Sequence, residues 1–307
     1  MPLRLAPVFD RCGLRALLAG RRRWRGLVVL AHHRVGDART AIGDPGLYSA
    51  DEETLDRQLE VLRRDADLID PVSLDAVRDA CGRAVLLTFD DGYADARTAA
   101  LPILQAHGAA AVFFIASGFV DRPRLPWWDE LSWIAERAGR PGAAAGWTAH
   151  YKQLGSTAAE RFLDELARRT GVGRAPVAAG AAQWCSWEDV RALQGAGMTI
   201  GAHTHDHPVL ARAPAARQRH ELRHGLDRIQ AETGRRPRWL AYPVGQPESF
   251  TATTRRAAAE AGIELAFSSY GGWNPWSRLD HYDVRRMWAP ADPARLRARV
   301  LTPWLFA

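Results

Sequence analysis

The sequence of 307 residues has few cysteines and no apolar run that approaches the length of a transmembrane helix. Its three cysteines, Cys12, Cys81 and Cys185, are an odd number without paired spacing, which argues against a disulfide framework. The N-terminus also lacks the order of a signal peptide, because its arginine block follows the short apolar run instead of preceding it. We therefore expect a cytoplasmic location.

Strong charge is also absent: the formal net charge is +6, carried almost wholly by arginine. No stripe of basic residues with interleaved aromatics occurs beyond one N-terminal cluster, so we expect no nucleic-acid partner. That cluster, "RRRWRG", belongs to a basic N-terminal segment, residues 1–26. The segment can act as an amphipathic anchor in peripheral contact with the inner membrane surface, or it can be solvated charge ahead of the first strand.

Short apolar stretches alternate with amphipathic ones along the remainder of the chain, which predicts an α/β fold. The predicted strands include "GLVVLAHH", "RAVLLTFDD", "AAVFFIAS", "MTIGAHTHDH", "RWLAYPVGQ" and "ELAFSSYGG". The alternation stops at about 121–183, where two helical patterns stand between Gly/Ala-rich linkers. We predict one α/β domain over residues 27–307, interrupted there by a mainly helical insertion. The tryptophans of the insertion are interpreted either as core residues or as a platform for stacking sugars.

Polar residues collect where the predicted strands end. The first strand ends in His32-His33-Arg34, and later ones end in Asp90-Asp91, in the tract from His203 to His207 and in Tyr242-Pro243. In barrel-like α/β folds the carboxyl ends of the strands converge on one face. The sequence therefore predicts one pocket built from all four places.

The adjacent carboxylates Asp90 and Asp91 need a compensating positive group, because two neighbouring carboxylates repel each other. The tract "HTHDHP" offers His203, His205 and His207. Residues four apart share a helix face, which favours His203 with His207, whereas an extended chain would pair residues two apart. A histidine-rich loop without a metal is the remaining alternative.

Two imidazoles and one carboxylate with an open position suit a catalytic divalent metal, zinc first, with cobalt, nickel, iron or manganese as alternatives. One carboxylate would bind the ion, and the other would accept the proton of a water molecule whose pKa the ion lowers. The residues alone do not decide which of the two carboxylates does which.

The motifs "TFDDGYADA", "HTHDHP", "AYPVG" and "AHHRV" together resemble the polysaccharide deacetylases of carbohydrate esterase family 4, the nodulation-type (NodB) homology domain, over residues 27–290. The resemblance implies a distorted (β/α) barrel with fewer than eight strands and metal-dependent removal of an acyl group from a sugar amine. It assigns Asp90 as the general base and Asp91, His203 and His207 as metal ligands.

The resemblance also implies a substrate groove at Tyr242, Pro243 and Gly245, where a backbone N–H would hold the oxyanion. Many members of the family carry an arginine just before this loop, where the present chain has Ala241. Arg286, in "HYDVRRMWAP", resembles the later arginine of a subgroup and is predicted to orient Asp90; a surface arginine is the alternative.

The general acid of the family is a histidine in a late Leu-x-His motif, which is not found intact. His281 and His33 are the candidates for this role, and a core or surface histidine is the alternative for each. The departure leaves the leaving-group step open.

These observations predict a metal-dependent hydrolase that removes an N-acetyl group from an amino sugar of a polysaccharide, oligosaccharide or lipid-linked glycan. A deformylase or cyclic-amide hydrolase acting on a smaller substrate is one alternative. A non-catalytic relative that keeps the metal and binds carbohydrate is another.

Overall fold

The computed structural model describes residues 24–306. The strands are β1 (Gly26–His32), β2 (Arg34–Val35), β3 (Tyr48–Ala50), β4 (Arg83–Phe89), β5 (Val112–Ile115), β6 (Thr199–Ala202), β7 (Trp239–Ala241), β8 (Leu265–Phe267), β9 (Asn274–Pro275) and β10 (Arg286–Trp288). Of the predicted N-terminal segment 1–26, residues 1–23 lie outside the described part, so its membrane contact stays a prediction.

Twelve α-helices occur in the described residues. They are α1 (Glu52–Asp65), α2 (Leu74–Asp79), α3 (Leu101–Ala106), α4 (Ser117–Asp121), α5 (Trp127–Arg137), α6 (Ala144–Tyr151), α7 (Ser156–Thr170), α8 (Val177–Gly180), α9 (Trp187–Gly195), α10 (Ala215–Thr233), α11 (Ala252–Glu260) and α12 (Pro293–Leu301). None of these helices combines the length and the apolarity needed to span a bilayer.

Seven parallel strands form the curved main sheet in the order β10-β1-β4-β5-β6-β7-β8, and β9 adds an antiparallel pairing to β1. Phe267 of β8 also pairs with Val284, just before β10, which brings the two ends of the sheet together. Right-handed helical crossovers are the usual way to join parallel strands. The expected distorted (β/α) barrel with fewer than eight strands is confirmed.

Both faces of the sheet are buried, which explains why its strands are almost continuously apolar. Along β1, Val28 and Leu30 pack with the surrounding helices, while Leu27 and Val29 point to the other face and pack with Phe114 and its neighbours inside the barrel. The side chains alternate because the strand period is two residues.

Side-chain caps mark the starts of two of the helices. The Asp51 carboxylate accepts a hydrogen bond from the Thr54 N–H at the start of α1. Ser186 and Asp189 form a reciprocal capping box at the start of α9, as their spacing predicts. Such caps satisfy backbone N–H groups that have no partner within the helix.

Helices α4 to α9 lie between β5 and β6, and the predicted insertion at about 121–183 falls within this stretch. Its aromatic residues form a second core, in which Trp127, Trp128 and Trp133 are only 6–8% exposed. Trp147 is partly buried against the same cluster. Trp127, Trp128 and Trp133 are thus mostly packed inside the protein, which favours the core interpretation for them.

Candidate metal centre and active site

The carboxyl ends of the strands converge on one small pocket of about 140 Å³, as the strand-end pattern predicts. The residues of the predicted site that line it are His33, Asp90, Asp91, His203, His207, Tyr242 and Arg286. They come from the ends of β1, β4, β6 and β7 and from the start of β10. Parallel strand pairing is what carries these distant parts of the sequence to one face.

Asp91, His203 and His207 form a buried group whose ligand atoms all lie within 4.8 Å of one another. The Asp91 Oδ1 atom is 3.3 Å from His203 Nε2 and 3.5 Å from His207 Nε2, and the two Nε2 atoms are 3.1 Å apart. Ligand atoms of a tetrahedral zinc site, with bonds of about 2.1 Å, are separated by about 3.4 Å. Asp91 Oδ1 is also buried without a hydrogen-bond partner. The three residues therefore fit a divalent metal ion.

The pair four residues apart is brought together by a turn and not by a helix. No helix covers 203–207, and Thr204 and His207 adopt left-handed backbone conformations, with φ of 65° and 55°. His205 points away from the pair, and its Nδ1 lies 2.8 Å from Ser117 Oγ. The spacing argument thus selects the two histidines whose rings lie together in the structure, although it did not anticipate the turn that joins them.

Hydrogen bonding orients the first imidazole. His203 Nδ1 lies 2.7 Å from the carbonyl oxygen of Ala241, which can only accept, so this nitrogen is the donor. The Nε2 lone pair of His203 then faces Asp91 and His207. A backbone acceptor behind a histidine ligand is the usual device that fixes its tautomer.

The ionisation states of His207 and Asp91 suit a metal ligand set. By contrast, burial would lower the pKa of His203 but Asp91 and Asp90 raise it overall, so a bound cation would have to displace a proton there. Burial, with the charge of His203 beside it, lowers the pKa of His207 to about 3, which keeps this imidazole neutral. Burial alone would raise the pKa of Asp91, but His203, His33 and His207 more than offset it, and the pKa lies below its ordinary value. Neutral imidazoles and an ionised carboxylate are the forms that bind metals.

Asp90 faces a different partner. Its two oxygens each accept a hydrogen bond of 2.7 Å from the Arg286 guanidinium, in a fork-to-fork pair. Arg286 also donates to the Ser268 carbonyl and to Thr88 Oγ1, and it is only 1% exposed. The alternative of a surface arginine is therefore wrong. Burial would raise the pKa of Asp90, but Arg286, helped by His203 and His33, holds that pKa below its usual range.

The two candidates for the general acid lie in different places. His33 lines the pocket, with its Nε2 3.9 Å from Asp91 Oδ2 and its ring stacked on Trp288. His281 is exposed and lines a separate cavity at the opposite end of the sheet, beside Leu265 at the start of β8. The segment from His281 to Arg286 runs from the opposite end of the sheet to the pocket, so Arg286 lies in the pocket and His281 does not. The expectation that His281 belongs to the site is corrected.

The loop after β7 offers a free backbone donor at the pocket. The Tyr242 N–H is bonded to the Phe267 carbonyl, Pro243 has no N–H, and the Gly245 N–H is bonded to the Pro243 carbonyl. The N–H of Val244 has no partner in the described part of the chain, and Val244 lines the pocket. The Val244 N–H, which the sequence analysis did not name, is therefore available to a ligand in the pocket.

Gly245 is required in this loop for steric reasons. Its φ is +66°, and a Cβ at this position would lie 2.7 Å from the Ser269 backbone nitrogen. Val244 has a φ of 66° as well. Four of the five non-glycine residues with positive φ in residues 24–306, namely Asp91, Thr204, His207 and Val244, lie at this end of the barrel. Such a concentration of unfavourable backbone conformations is typical of functional sites.

A further network, which the sequence did not indicate, joins the pocket to the insertion. The Asp129 carboxylate of α5 accepts hydrogen bonds from the Asp44 N–H at 2.8 Å and from the Tyr93 hydroxyl at 3.1 Å. Trp128 donates to the same hydroxyl, and its ring packs edge-on against His207. The one signal in the sequence that could have indicated a role for Asp129 is its position directly after Trp127 and Trp128.

Seven parallel strands with this polar constellation at their carboxyl ends define a (β/α)-barrel protein with a site suited to a divalent metal. A family model described as polysaccharide deacetylase matches residues 78–266, more than half of the chain. The chain belongs to the polysaccharide deacetylase family, as the sequence motifs predict. The coarse expectation of a carbohydrate deacetylase that acts on glycans follows from this membership.

Solved structures agree on the fold. The Streptococcus pyogenes deacetylase PplD, in complex with acetate, is 16% identical, with a TM-score of 0.63, and the match covers 91% of this chain and 100% of that one. A de-N-acetylase from Aggregatibacter actinomycetemcomitans is 18% identical, with a TM-score of 0.61 and coverages of 87% and 95%. IcaB from Ammonifex degensii is 22% identical, with a TM-score of 0.58 and coverages of 90% and 97%. A comparison with curated proteins found no match.

Proposed function

We propose that this protein is a metal-dependent hydrolase that removes the N-acetyl group from an amino sugar of a polysaccharide, oligosaccharide or lipid-linked glycan. The observation that carries the proposal is the division of labour between two adjacent carboxylates. Asp91 joins two imidazoles in a group that fits a metal, while Asp90 is held next to it by Arg286. This arrangement is the one that water activation beside a metal requires.

Asp91, His203 and His207 would hold the ion, with zinc as the first choice and cobalt, nickel, iron or manganese as alternatives. When bound, the ion would polarise the acetyl carbonyl and lower the pKa of a water molecule from about 16 to about 7. Its identity is open because the ligand set is common to several metals.

The residues of the chain supply the remaining steps. The Asp90 carboxylate takes a proton from the attacking water as the new C–O bond forms. The Val244 N–H donates a hydrogen bond to the oxyanion that develops on the acetyl oxygen. His33, or Asp90 with the proton it has gained, then protonates the sugar nitrogen as the C–N bond breaks. The products are acetate and a free amino sugar.

The direct test measures acetate release from N-acetylglucosamine oligomers by the purified protein before and after treatment with a chelator. We expect release to stop after chelation and to return on addition of zinc or another of the named ions. N-formyl sugars and small cyclic amides in the same assay test the alternative substrates.

The matched variants are His207→Ala and His281→Gln. We expect His207→Ala to lose both the metal, by elemental analysis, and the activity, while His281→Gln keeps both because its side chain lies at the other end of the sheet. Acetate release that persists after complete removal of metal would refute the proposal. Glycan binding without any acetate release would favour the non-catalytic relative.

A further inference from the structure

A second cavity adjoins the catalytic pocket. It has a volume of about 730 Å³ and lies between α6 of the insertion, the loop around Asp44 and the segment 246–249 that follows the β7 loop. The two cavities share Asp44, Thr148, Lys152 and Val244 in their linings. The catalytic pocket, at about 140 Å³, is much smaller than the 300–1,000 Å³ typical of ligand sites, whereas the second cavity falls within that range.

Lys152 stands at the junction of the two cavities and is the only lysine in the sequence. It follows α6 directly and is partly buried. Within residues 24–306, no carboxylate lies within 4.0 Å of its ammonium nitrogen, and no hydrogen bond from that nitrogen is found. By contrast, most of the charged arginines around the insertion are paired, as Arg174 is with Glu130. Its ammonium group is therefore free to donate hydrogen bonds to a ligand that enters the junction.

The charges around this junction limit what the ligand can be. Besides Lys152, the charged residues lining the second cavity are Asp44, Glu136 and Glu248, so the formal charge of its lining is −2. Burial lowers the pKa of Lys152, and the charges of Asp44 and Glu248 oppose that effect. An anionic sugar would therefore be repelled, while neutral hydroxyl and carbonyl oxygens can accept the ammonium hydrogen bonds.

We propose that the second cavity is a subsite for the sugar next to the reactive one, that it takes an uncharged or amine-bearing residue, and that Lys152 donates a hydrogen bond to one of its oxygens. The inference rests on the proposed function, because it assumes a glycan in the catalytic pocket. It adds a specificity-determining residue supplied by the insertion. It also predicts that the chain acts on oligomers in preference to single sugars.

The unique lysine permits a direct binding test. Reductive methylation with ¹³C-formaldehyde labels only Lys152 and the terminal amine, and the variant Lys152→Arg identifies the Lys152 signal by its loss. The metal-loaded Asp90→Asn protein serves as the background, so that the glycan is not consumed. We expect an N-acetylglucosamine tetramer to shift the Lys152 signal, and we expect neither the monomer nor a uronic-acid oligomer of equal length to do so.

Kinetics provide the second measurement. Lys152→Met should raise KM for the tetramer by about tenfold or more, the change that loss of one charge-assisted hydrogen bond produces, with much smaller changes in kcat and in the KM for the monomer. Lys152→Arg should restore most of the affinity because it keeps the donors. Arg161→Met, at an exposed position of α7 that lines neither cavity, removes the same charge, serves as the control and should leave both constants unchanged.

The outcomes separate the two proposals. The subsite is overturned, and the deacetylase function stays intact, if acetate is released but the tetramer does not shift the Lys152 signal. The same holds if acetate is released but Lys152→Met leaves the KM for the tetramer unchanged. A uronic-acid oligomer that shifts the signal as strongly as the tetramer overturns the predicted charge preference. Failure of both acetate release and the shift overturns the proposed function together with the subsite.

Discussion

At the scale of single residues, neighbouring aspartates are turned to different partners by the backbone between them. Asp91 has a φ of 73°, and Gly92 follows with a φ of 87°. This left-handed turn points Asp91 toward the imidazoles, while Asp90, still bonded through its N–H to the His32 carbonyl, points toward Arg286. Two carboxylates with the same chemistry therefore occupy different electrostatic environments, as acid–base catalysis requires.

Replacing Asp90 by asparagine should remove the base without removing the metal. The amide keeps an oxygen that can accept from Arg286 but cannot take a proton from water. We expect turnover to fall by roughly 100-fold or more, the usual scale for loss of a general base, with metal content unchanged. Acetate release and elemental analysis on the same preparation measure both effects.

Asp95→Asn is the matched control, because Asp95 is also paired with an arginine, Arg34, at 2.9 Å but does not line the pocket. It should lower stability without a comparable loss of turnover. Normal turnover in Asp90→Asn would exclude Asp90 as the base.

At the scale of elements, the insertion does more than cover the barrel, since its helix α5 fixes one wall of the catalytic pocket. Asp129 accepts the hydrogen bond of the Asp44 N–H, and Asp44 and Leu47 of the same loop line the pocket. Gly43, the preceding residue, packs so closely on Asp129 that a Cβ there would lie 2.2 Å from Asp129 Oδ1. The loop and the helix are therefore complementary in shape as well as in hydrogen bonding.

Gly43→Ala should push the loop away from α5 and open the pocket wall. We expect a lower melting temperature and a higher KM for the glycan, with the metal content unchanged. Thermal unfolding and steady-state kinetics measure these changes. Gly195→Ala is the control, because a Cβ at that position meets nothing within 4 Å and the residue lines neither cavity. Equal behaviour of the two variants would show that the Gly43 contact does not position the loop.

At the scale of the whole molecule, burying Asp129 links folding to pH. Burial raises the pKa of Asp129 from 3.8 to about 7, although the Asp44 N–H, Arg34 and the Tyr93 hydroxyl oppose the shift. Between these two values the folded protein binds the proton and the unfolded chain does not. The free energy of unfolding contributed by this group therefore falls as pH rises from about 4 to about 7.

Asp129→Asn should abolish this dependence because an amide does not titrate. Relative to the wild type, the variant should gain stability as the pH is raised from 5 to 8, by about 3 kcal/mol at most, because about two pKa units of the shift lie in this range and each is worth 1.36 kcal/mol. Denaturant unfolding of both metal-loaded proteins across this range gives the difference. If the difference in the free energy of unfolding between the two proteins stayed constant from pH 5 to 8, Asp129 would not titrate in that range.

The sequence by itself determined the α/β alternation, the strand ends and the residue types gathered there. These depend on local periodicity and on a few adjacent residues, such as Asp90 with Asp91 or Ser186 with Asp189. The likeness to a family, carried by four short motifs, supplied the barrel and the expected order of the two aspartates. The spacing of His203 and His207 also held, even though a left-handed turn and not a helix brings them together.

Only the tertiary structure decided which distant groups meet. It buried Arg286 against Asp90 across 196 positions of sequence, placed His281 at the far end of the sheet, and left the Val244 N–H free at the pocket. It also set Asp129 and Lys152 of the insertion beside the pocket. Local sequence patterns do not predict such contacts. The contacts depend on strand order and register, which are fixed by packing over the whole chain.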